Sequence, residues 1–152
     1  MAPRVWVASE RDVDAVASLL AEFRDWFGKA EPPESQIRDT VAVLVGDPNT
    51  EYLLGGDDGP AGVCQLRYRL AVWTGAEDCW LEDLFVREDA RRTGLGRTLV
   101  EAAFERARAR GCKRMHLDVD EDNTNALAFY ASMGFSTEPK SAGRTLYVGR
   151  RL

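Results

Sequence analysis

The sequence lacks three things: a second histidine, a long apolar run and an excess of positive charge. With one histidine and three widely spaced cysteines, we expect reduced structural thiols and no metal site. No apolar run approaches the roughly 18 residues of a membrane span, and no basic-then-apolar leader opens the chain, so we expect a cytoplasmic protein without a membrane partner. The formal net charge of −5 argues against nucleic acid as the main partner.

The composition favours one ordered domain over residues 1–152, because 45% of the residues are hydrophobic and 30% are charged. The charges are not evenly distributed. Arginines concentrate in residues 91–114, whereas acids gather at 57–58, 77–78, 82–83 and 118–122. This predicts one end that attracts anions and another that attracts cations, although a solvated surface of mixed charge would explain most of the acids equally well.

Hydrophobic periodicity and turn residues predict ten elements in the order β-α-α-β-β-β-α-β-α-β. The predicted strands are 4–8, 52–54, 63–72, 79–86, 114–119 and 145–150, and the helices follow Ser9 and cover 35–45, 94–110 and 124–133. This is a mixed α/β fold with antiparallel early strands. Strands 80–86 and 114–119, joined through a helix, should be parallel with a right-handed crossover. A doubly wound nucleotide fold is excluded, since it would alternate β and α throughout.

The most informative segment is WLEDLFVREDARRTGLG, residues 80–96. A strand with two acids leads through a charged turn to Gly94 and Gly96, where a helical pattern begins. Glycines at such a junction allow close approach of a ligand, and the amides of a helix start attract phosphate. With Arg91, Arg92 and Arg97 around them, they predict a site for an anionic cofactor. A P-loop is a poor match, because Lys-Ser/Thr does not follow the glycines.

Two motifs resemble those of the GNAT superfamily of acyl-CoA-dependent N-acyltransferases. The first is Arg/Gln-x-x-Gly-x-Gly/Ala, which stands here at residues 91–96. The second is Asn-x-x-Ala-x-x-x-Tyr followed by Gly-Phe, with the matching residues Asn123, Ala126, Tyr130, Gly134 and Phe135. The strand LEDLFV is similar to that of the spermidine/spermine and thialysine acetyltransferase branch. The resemblance covers about residues 79–135.

The resemblance implies the GNAT fold: a mixed sheet with antiparallel N-terminal strands, parallel strands that splay at the cofactor site, and about four helices. It implies acetyl-CoA as the cofactor. The residues matched to cofactor binding are Leu84, Phe85 and Val86 for the pantetheine arm, Arg91, Arg92, Thr93, Gly94, Leu95, Gly96 and Arg97 around the pyrophosphate, and Asn123, Ala126 and Tyr130 near the thioester. Arg92 departs from the pattern, since many members carry glycine there.

The catalytic candidates are Glu82, Asp83 and Tyr130. An amine attacks a thioester only when neutral, and an aliphatic ammonium has a pKa near 10.4, so a proton must be removed. Strand alternation sends Glu82 and Asp83 to opposite faces unless a bulge intervenes. The resemblance favours Glu82 as the base, through a water, with Asp83 in a structural role. An ion pair would equally explain Glu82, and the choice between the two acids stays open.

Tyr130 would donate a proton to the departing thiolate, unless it only completes an apolar helix face. His116 is expected to be structural, inside a strand.

In this family the loop after the first helix and the third strand line the acceptor pocket. The residues that fall there are Trp26, Phe27, Tyr68 and Trp73, with Glu82 close by, although core packing would explain any one of the aromatics. The function implied is transfer of an acetyl group to a primary amine of a small cationic acceptor, in a ternary complex. A protein N-terminal or lysine acetyltransferase and a non-catalytic acyl-CoA-binding regulator are the alternatives. The last predicted strand is a candidate surface for a homodimer.

Overall fold

The computed structural model describes residues 3–137, 142–143 and 145–152. They form two compact units, Met1–Asp118 and Val119–Leu152. The elements of the first unit are β1 (Arg4–Val7), α1 (Val13–Trp26), α2 (Glu34–Val45), β2 (Thr50–Gly56), β3 (Gly62–Ala71), β4 (Ala76–Val86), α3 (Leu95–Ala109) and β5 (Met115–His116). The second unit contains α4 (Thr124–Ser132). In the described ranges, no helix has both the length and the apolar character that crossing a membrane requires.

The sheet follows the chain, with the strand order β1-β2-β3-β4-β5. The first four strands are antiparallel to their neighbours, and β4 and β5 are parallel. The mixed α/β fold predicted from the sequence is therefore confirmed. The four helices were also predicted, with bounds that differ by a few residues.

Helices cover both faces of the sheet. On one face, apolar side chains of α1 and α2, among them Leu19 and Val41, pack with Tyr52 and Phe85 of the sheet. On the other face, α3 approaches closely because the sheet offers glycine there. A Cβ on Gly62 would lie 2.9 Å from a Leu99 methyl carbon, which is closer than real Cβ contacts allow. A larger residue at this position would force the Leu99 side chain to shift.

Two predicted strands differ from the structure. The strand predicted at 114–119 is reduced to Met115–His116, because only these residues pair with β4. The strand predicted at 145–150 is wrong: these residues are exposed and have no strand partner in the described part of the chain. An alternating pattern becomes a strand only where a neighbouring strand accepts its hydrogen bonds.

Candidate active site

A β-bulge in β4 places the two predicted catalytic acids. Gln65 of β3 pairs with Asp83, but the next residue, Leu66, pairs with Leu81, so Glu82 is the extra residue. Gln65 and Leu66 point to opposite faces, and direct partners share a face. Asp83 and Leu81 therefore lie on opposite faces although they are two residues apart. Simple alternation would send Glu82 and Asp83 to opposite faces unless a bulge intervened. The bulge is present, and it changes the face to which Asp83 points.

Asp83 lies on the sheet face that α1 and α2 cover. It is in one cross-strand row with Gln65 and Tyr52, because Gln65 also pairs with Tyr52 of β2. Burial, together with the nearby carboxylates of Glu82 and Asp118, raises the pKa of Asp83 to about 6. Glu82 itself is exposed. The row thus contains a carboxyl group that gains and loses its proton close to neutral pH.

Tyr52 adjoins the same acids. Its side chain is buried, and burial together with the charges of Asp83 and Glu82 raises the pKa of its phenol far above the usual value, against an opposing effect of Arg67. The sequence alone did not indicate a site role for Tyr52, Gln65, Arg67 or Asp118. The missing information was the register between strands, since only pairing shows which residues of β2 and β3 share a face with Asp83.

The edge of β4 is open beyond the bulge. Backbone pairing with β5 in the described residues is confined to Cys79–Met115 and Trp80–His116. From Leu81 onward no backbone pairing joins β4 to β5 in the described residues, as expected for parallel strands that splay. Leu84, Phe85 and Val86, which the resemblance assigns to the pantetheine arm, lie in this stretch. An extended ligand could add to such an edge like a further strand.

The loop from Arg91 to the start of α3 turns through two left-handed residues. Arg92 has φ of +65° and Gly94 has φ of +86°, and α3 begins at Leu95. The Thr98 amide donates a hydrogen bond to the Gly94 carbonyl at 3.0 Å, so the amides before it lie at the positive end of the helix dipole. Arg92 therefore holds a positive φ, which a residue other than glycine adopts only with strain.

The Arg91 side chain lies along β4 next to aromatic rings. Its Nε donates a hydrogen bond to the Val86 carbonyl at 2.9 Å, and its guanidinium lies 5.8 Å from the Trp26 ring centroid and 6.0 Å from that of Phe85. Phe27 and Trp26 are in edge contact, with centroids 5.0 Å apart. The structure therefore brings Trp26 and Phe27, predicted for the acceptor, next to residues predicted for the cofactor.

Tyr68 and Trp73 lie elsewhere. Tyr68 is buried, its hydroxyl donates to Glu51 at 2.6 Å, and the Arg110 guanidinium of α3 lies 3.8 Å from its ring centroid. Arg110 is in turn paired with Glu77 at 2.8 Å. Trp73 is 91% exposed in the turn between β3 and β4. Neither residue lies on the sheet face of Asp83, because Tyr68 points toward α3 and Trp73 lies in a turn outside the sheet.

The second unit contains the other motif. The Asn123 side-chain oxygen accepts a hydrogen bond from the Ala126 amide at 3.2 Å and so caps α4. Tyr130 lies on α4, in edge contact with Phe129 at 5.3 Å and with Phe135 at 5.6 Å. The motif spacing is thus explained by a capped helix whose aromatic residues form a small cluster.

The His116 ring packs at a tilt against that of Trp80, with ring centroids 5.4 Å apart, in the short parallel pair of strands. No group of three or more metal-ligating side chains is found in the part of the chain that the structure describes.

Comparison with known proteins identifies the family. Residues 14–135 match the acetyltransferase (GNAT) family. The chain belongs to the GNAT acetyltransferase family. It is 37% identical to thialysine N-epsilon-acetyltransferase of Caenorhabditis elegans, over 82% of this chain and 75% of that protein. It is 30% identical to aminoglycoside N(6')-acetyltransferase type 1 of Klebsiella aerogenes, over 72% of this chain and 74% of that protein.

Structural comparison agrees with the family assignment. A solved structure from Arthrobacter sp. FB24 superposes with a TM-score of 0.87 at 31% identity, covering 100% of this chain and 96% of that chain. The resemblance seen in the motifs is therefore confirmed for the fold and the family. As a GNAT domain, the chain has the fold of an acetyl-CoA-dependent acetyltransferase, and the relatives from Caenorhabditis elegans and Klebsiella aerogenes are named N-acetyltransferases.

Proposed function

We propose that this enzyme transfers the acetyl group of acetyl-CoA to a primary amine of a small cationic acceptor, by direct attack in a ternary complex. One observation carries the proposal: the bulge at Glu82 presents two adjacent carboxylates beside the open edge of β4. The cofactor and the acceptor then meet at one strand.

The residues around β4 suit acetyl-CoA. The open edge at Leu84, Phe85 and Val86 offers main-chain groups for the amides of the pantetheine arm, and the amides of residues 92–97 offer donors for the pyrophosphate. Because Arg91 donates to the Val86 carbonyl, its side chain would share or give up that acceptor when the arm binds. When bound, acetyl-CoA supplies an activated acetyl thioester.

Glu82 and Asp83 would act on the acceptor amine. An ammonium group is attracted to the paired carboxylates, and one of them takes up its proton, directly or through a water. The raised pKa of Asp83, about 6, makes this carboxylate a stronger base than an ordinary aspartate, and a pKa of 6 still leaves most of it ionised at pH 7. The resemblance favoured Glu82 and left the choice between the two acids open, and the raised pKa supports Asp83 as a candidate for the proton acceptor as well.

Tyr130 would donate the proton that the departing thiolate requires. A phenol and a thiol differ by only about 1.5 units in pKa, so a positioned hydroxyl can stabilise the thiolate by a hydrogen bond and transfer the proton. Asn123 and Ala126 would support this role by fixing the start of α4.

The proposed acceptor is small and cationic. The names of two relatives point to amines of a modified amino acid and of an aminoglycoside. Trp26 and Phe27, each about half exposed, offer apolar surface close to β4. A cytoplasmic location belongs to the same proposal and rests on the sequence alone. A homodimer belongs to it as well, but not through the strand predicted at 145–150, which the structure does not contain.

The test is thiol release from acetyl-CoA, and in parallel from propionyl-CoA, with a library of amines and with peptides that carry free N-terminal or lysine amines. We expect turnover with small amines, and loss of at least 100-fold in kcat/KM in the double variant Glu82→Gln/Asp83→Asn. The matched control is Glu105→Gln, an exposed acid of α3, which should keep full activity.

Three results would contradict the proposal. Turnover with peptides but not with small amines would favour a protein acetyltransferase. Coenzyme A binding by calorimetry without turnover of any amine would favour a regulator. Absence of coenzyme A binding would remove the proposed cofactor.

A further inference from the structure

Arg67 lies on the same sheet face as Asp83, one row further along. Gln65 and Arg67 are two residues apart on β3, so their side chains share a face. Gln65 pairs with Tyr52 and Asp83, whereas Arg67 pairs with Thr50 and Trp80. Side chains in neighbouring rows of one face are about 7 Å apart along the strand. Arg67 is therefore within side-chain reach of a small molecule that contacts the acids of β4.

The guanidinium of Arg67 has no carboxylate partner in the described residues. Arg87, Arg110 and Arg114 are likewise half-buried, and each is bonded to a carboxylate at 2.7–2.8 Å. Arg67 is half-buried without an ion pair or hydrogen bond among the described residues. A partly desolvated guanidinium has five donors that match a carboxylate, and such groups are normally paired.

Asp83 does not serve as that partner. The charges that act on Asp83 are those of Glu82 and Asp118, and they raise its pKa, whereas a paired arginine would lower it. The charge of Arg67 acts instead on the Tyr52 phenol, whose pKa it lowers against the stronger effect of burial. One face of the sheet thus presents the cation Arg67 and the acid Asp83, with the bulged Glu82 next to Asp83 in the chain, and no ion pair among the described residues joins Arg67 to either acid.

We propose that Arg67 binds a carboxylate on the acceptor, so that the acceptor is an amine of the amino-acid class. The ammonium end would lie at Glu82 and Asp83, and the carboxylate would accept two parallel hydrogen bonds from the Arg67 guanidinium. This inference rests on the proposed function. It makes Arg67 a specificity-determining residue, which contacts the acceptor away from the reacting nitrogen.

The experiment compares acceptors that differ only in the carboxylate. L-Lysine, L-lysinamide and cadaverine are assayed by thiol release, together with a panel of other amino acids and their amides. We expect the wild-type enzyme to prefer the carboxylated member of the pairs that it acetylates. Arg67→Met should lower kcat/KM for that member about 10- to 100-fold, mainly through KM, and leave kcat/KM for the amide nearly unchanged.

Two further variants separate the charge from the fold. Arg67→Lys keeps the positive charge but loses the paired donors of the guanidinium, and it should retain part of the preference for carboxylated acceptors. Arg69→Met removes an exposed arginine from the same face of β3 and should retain all of it. Melting temperatures and coenzyme A affinities of all variants exclude loss of folding or of the cofactor site.

The possible failures are distinguishable. Equal turnover of acids and amides by the wild-type enzyme, or a preference that survives in Arg67→Met, overturns the role of Arg67 but leaves amine acetylation standing. Coenzyme A binding with no turnover of any amine overturns the proposed function and this inference with it.

Discussion

Asp83 of β4 pairs directly with Gln65 of β3, one step beyond the bulged residue Glu82. Without the bulge, Glu82 would take the position opposite Gln65 and Asp83 would point toward α3. With it, Asp83 faces the polar row of β2 and β3, and Glu82 remains exposed beside it. The single extra residue in β4 thus turns Asp83 from the face of α3 to the face of Gln65.

The first prediction concerns the pH dependence of activity. If Asp83 accepts the proton from the amine, kcat/KM rises as the pH increases through about 6, where Asp83 loses its own proton. Asp83→Asn should remove this limb and lower kcat/KM about 100-fold. Glu82→Gln should move the limb to lower pH, because the charge of Glu82 helps to raise the pKa of Asp83. Steady-state rates between pH 5 and 9 test this, and an unchanged limb in Asp83→Asn would exclude Asp83 as the base.

The second prediction concerns stability. The pKa of Asp83 is raised in the folded state from 3.8 to about 6, so folding is most favoured when Asp83 is protonated. That contribution is fully present below about pH 4 and is lost as the pH rises through 6. Asp83→Asn should therefore stabilise the protein by roughly 1–3 kcal/mol at pH 8 and by less at pH 5. Urea unfolding at both pH values measures this, with Asp89→Asn as the exposed control. A constant difference between the two pH values would contradict the raised pKa.

The sequence predicted the fold well where local pattern decides the outcome. The apolar stripe of α3 and the glycines at 94 and 96 were sufficient to place the helix start. The strand at 145–150 was wrong because alternation indicates an exposed and a covered face, but not a partner. The sequence allowed a bulge near Glu82 but could not show that one is present, since the register between strands depends on long-range packing. For the same reason, Tyr52 and Arg67 could not be assigned to the face of Asp83.

The third prediction concerns the loop before α3. Arg92 has φ of +65°, so Arg92→Gly should relieve strain and stabilise the protein by up to about 1 kcal/mol, with Arg92→Ala as the control that does not. If main-chain amides hold the pyrophosphate, Arg92→Gly should keep most of the coenzyme A affinity. Gly94→Val, at φ of +86°, should lose at least 10-fold. Calorimetry measures both, and a large loss in Arg92→Gly alone would assign the affinity to the Arg92 side chain.

The fourth prediction concerns Tyr68, which was predicted for the acceptor pocket. Its hydroxyl donates to Glu51 at 2.6 Å, so Tyr68→Phe removes a partly buried hydrogen bond to a charged group. We expect a loss of about 1–2 kcal/mol and a melting temperature roughly 2–8 °C lower, with the acceptor KM unchanged. Tyr147→Phe, on an exposed residue, is the control. A higher acceptor KM at unchanged stability would restore Tyr68 to the acceptor pocket.

The fifth prediction concerns Tyr130. The Tyr130→Phe variant keeps the ring that contacts Phe129 and Phe135 and removes only the hydroxyl. If the hydroxyl donates the proton to the departing thiolate, kcat should fall by roughly 10²–10⁴-fold while coenzyme A affinity stays within a few-fold. Phe129→Leu, on the neighbouring residue of α4, controls for disturbance of the helix and should retain more activity than Tyr130→Phe. Measured kcat for a good acceptor, alongside calorimetry with coenzyme A, separates the two effects. Unchanged turnover in Tyr130→Phe would leave Tyr130 with packing as its only role, and the thiolate would then take its proton from solvent.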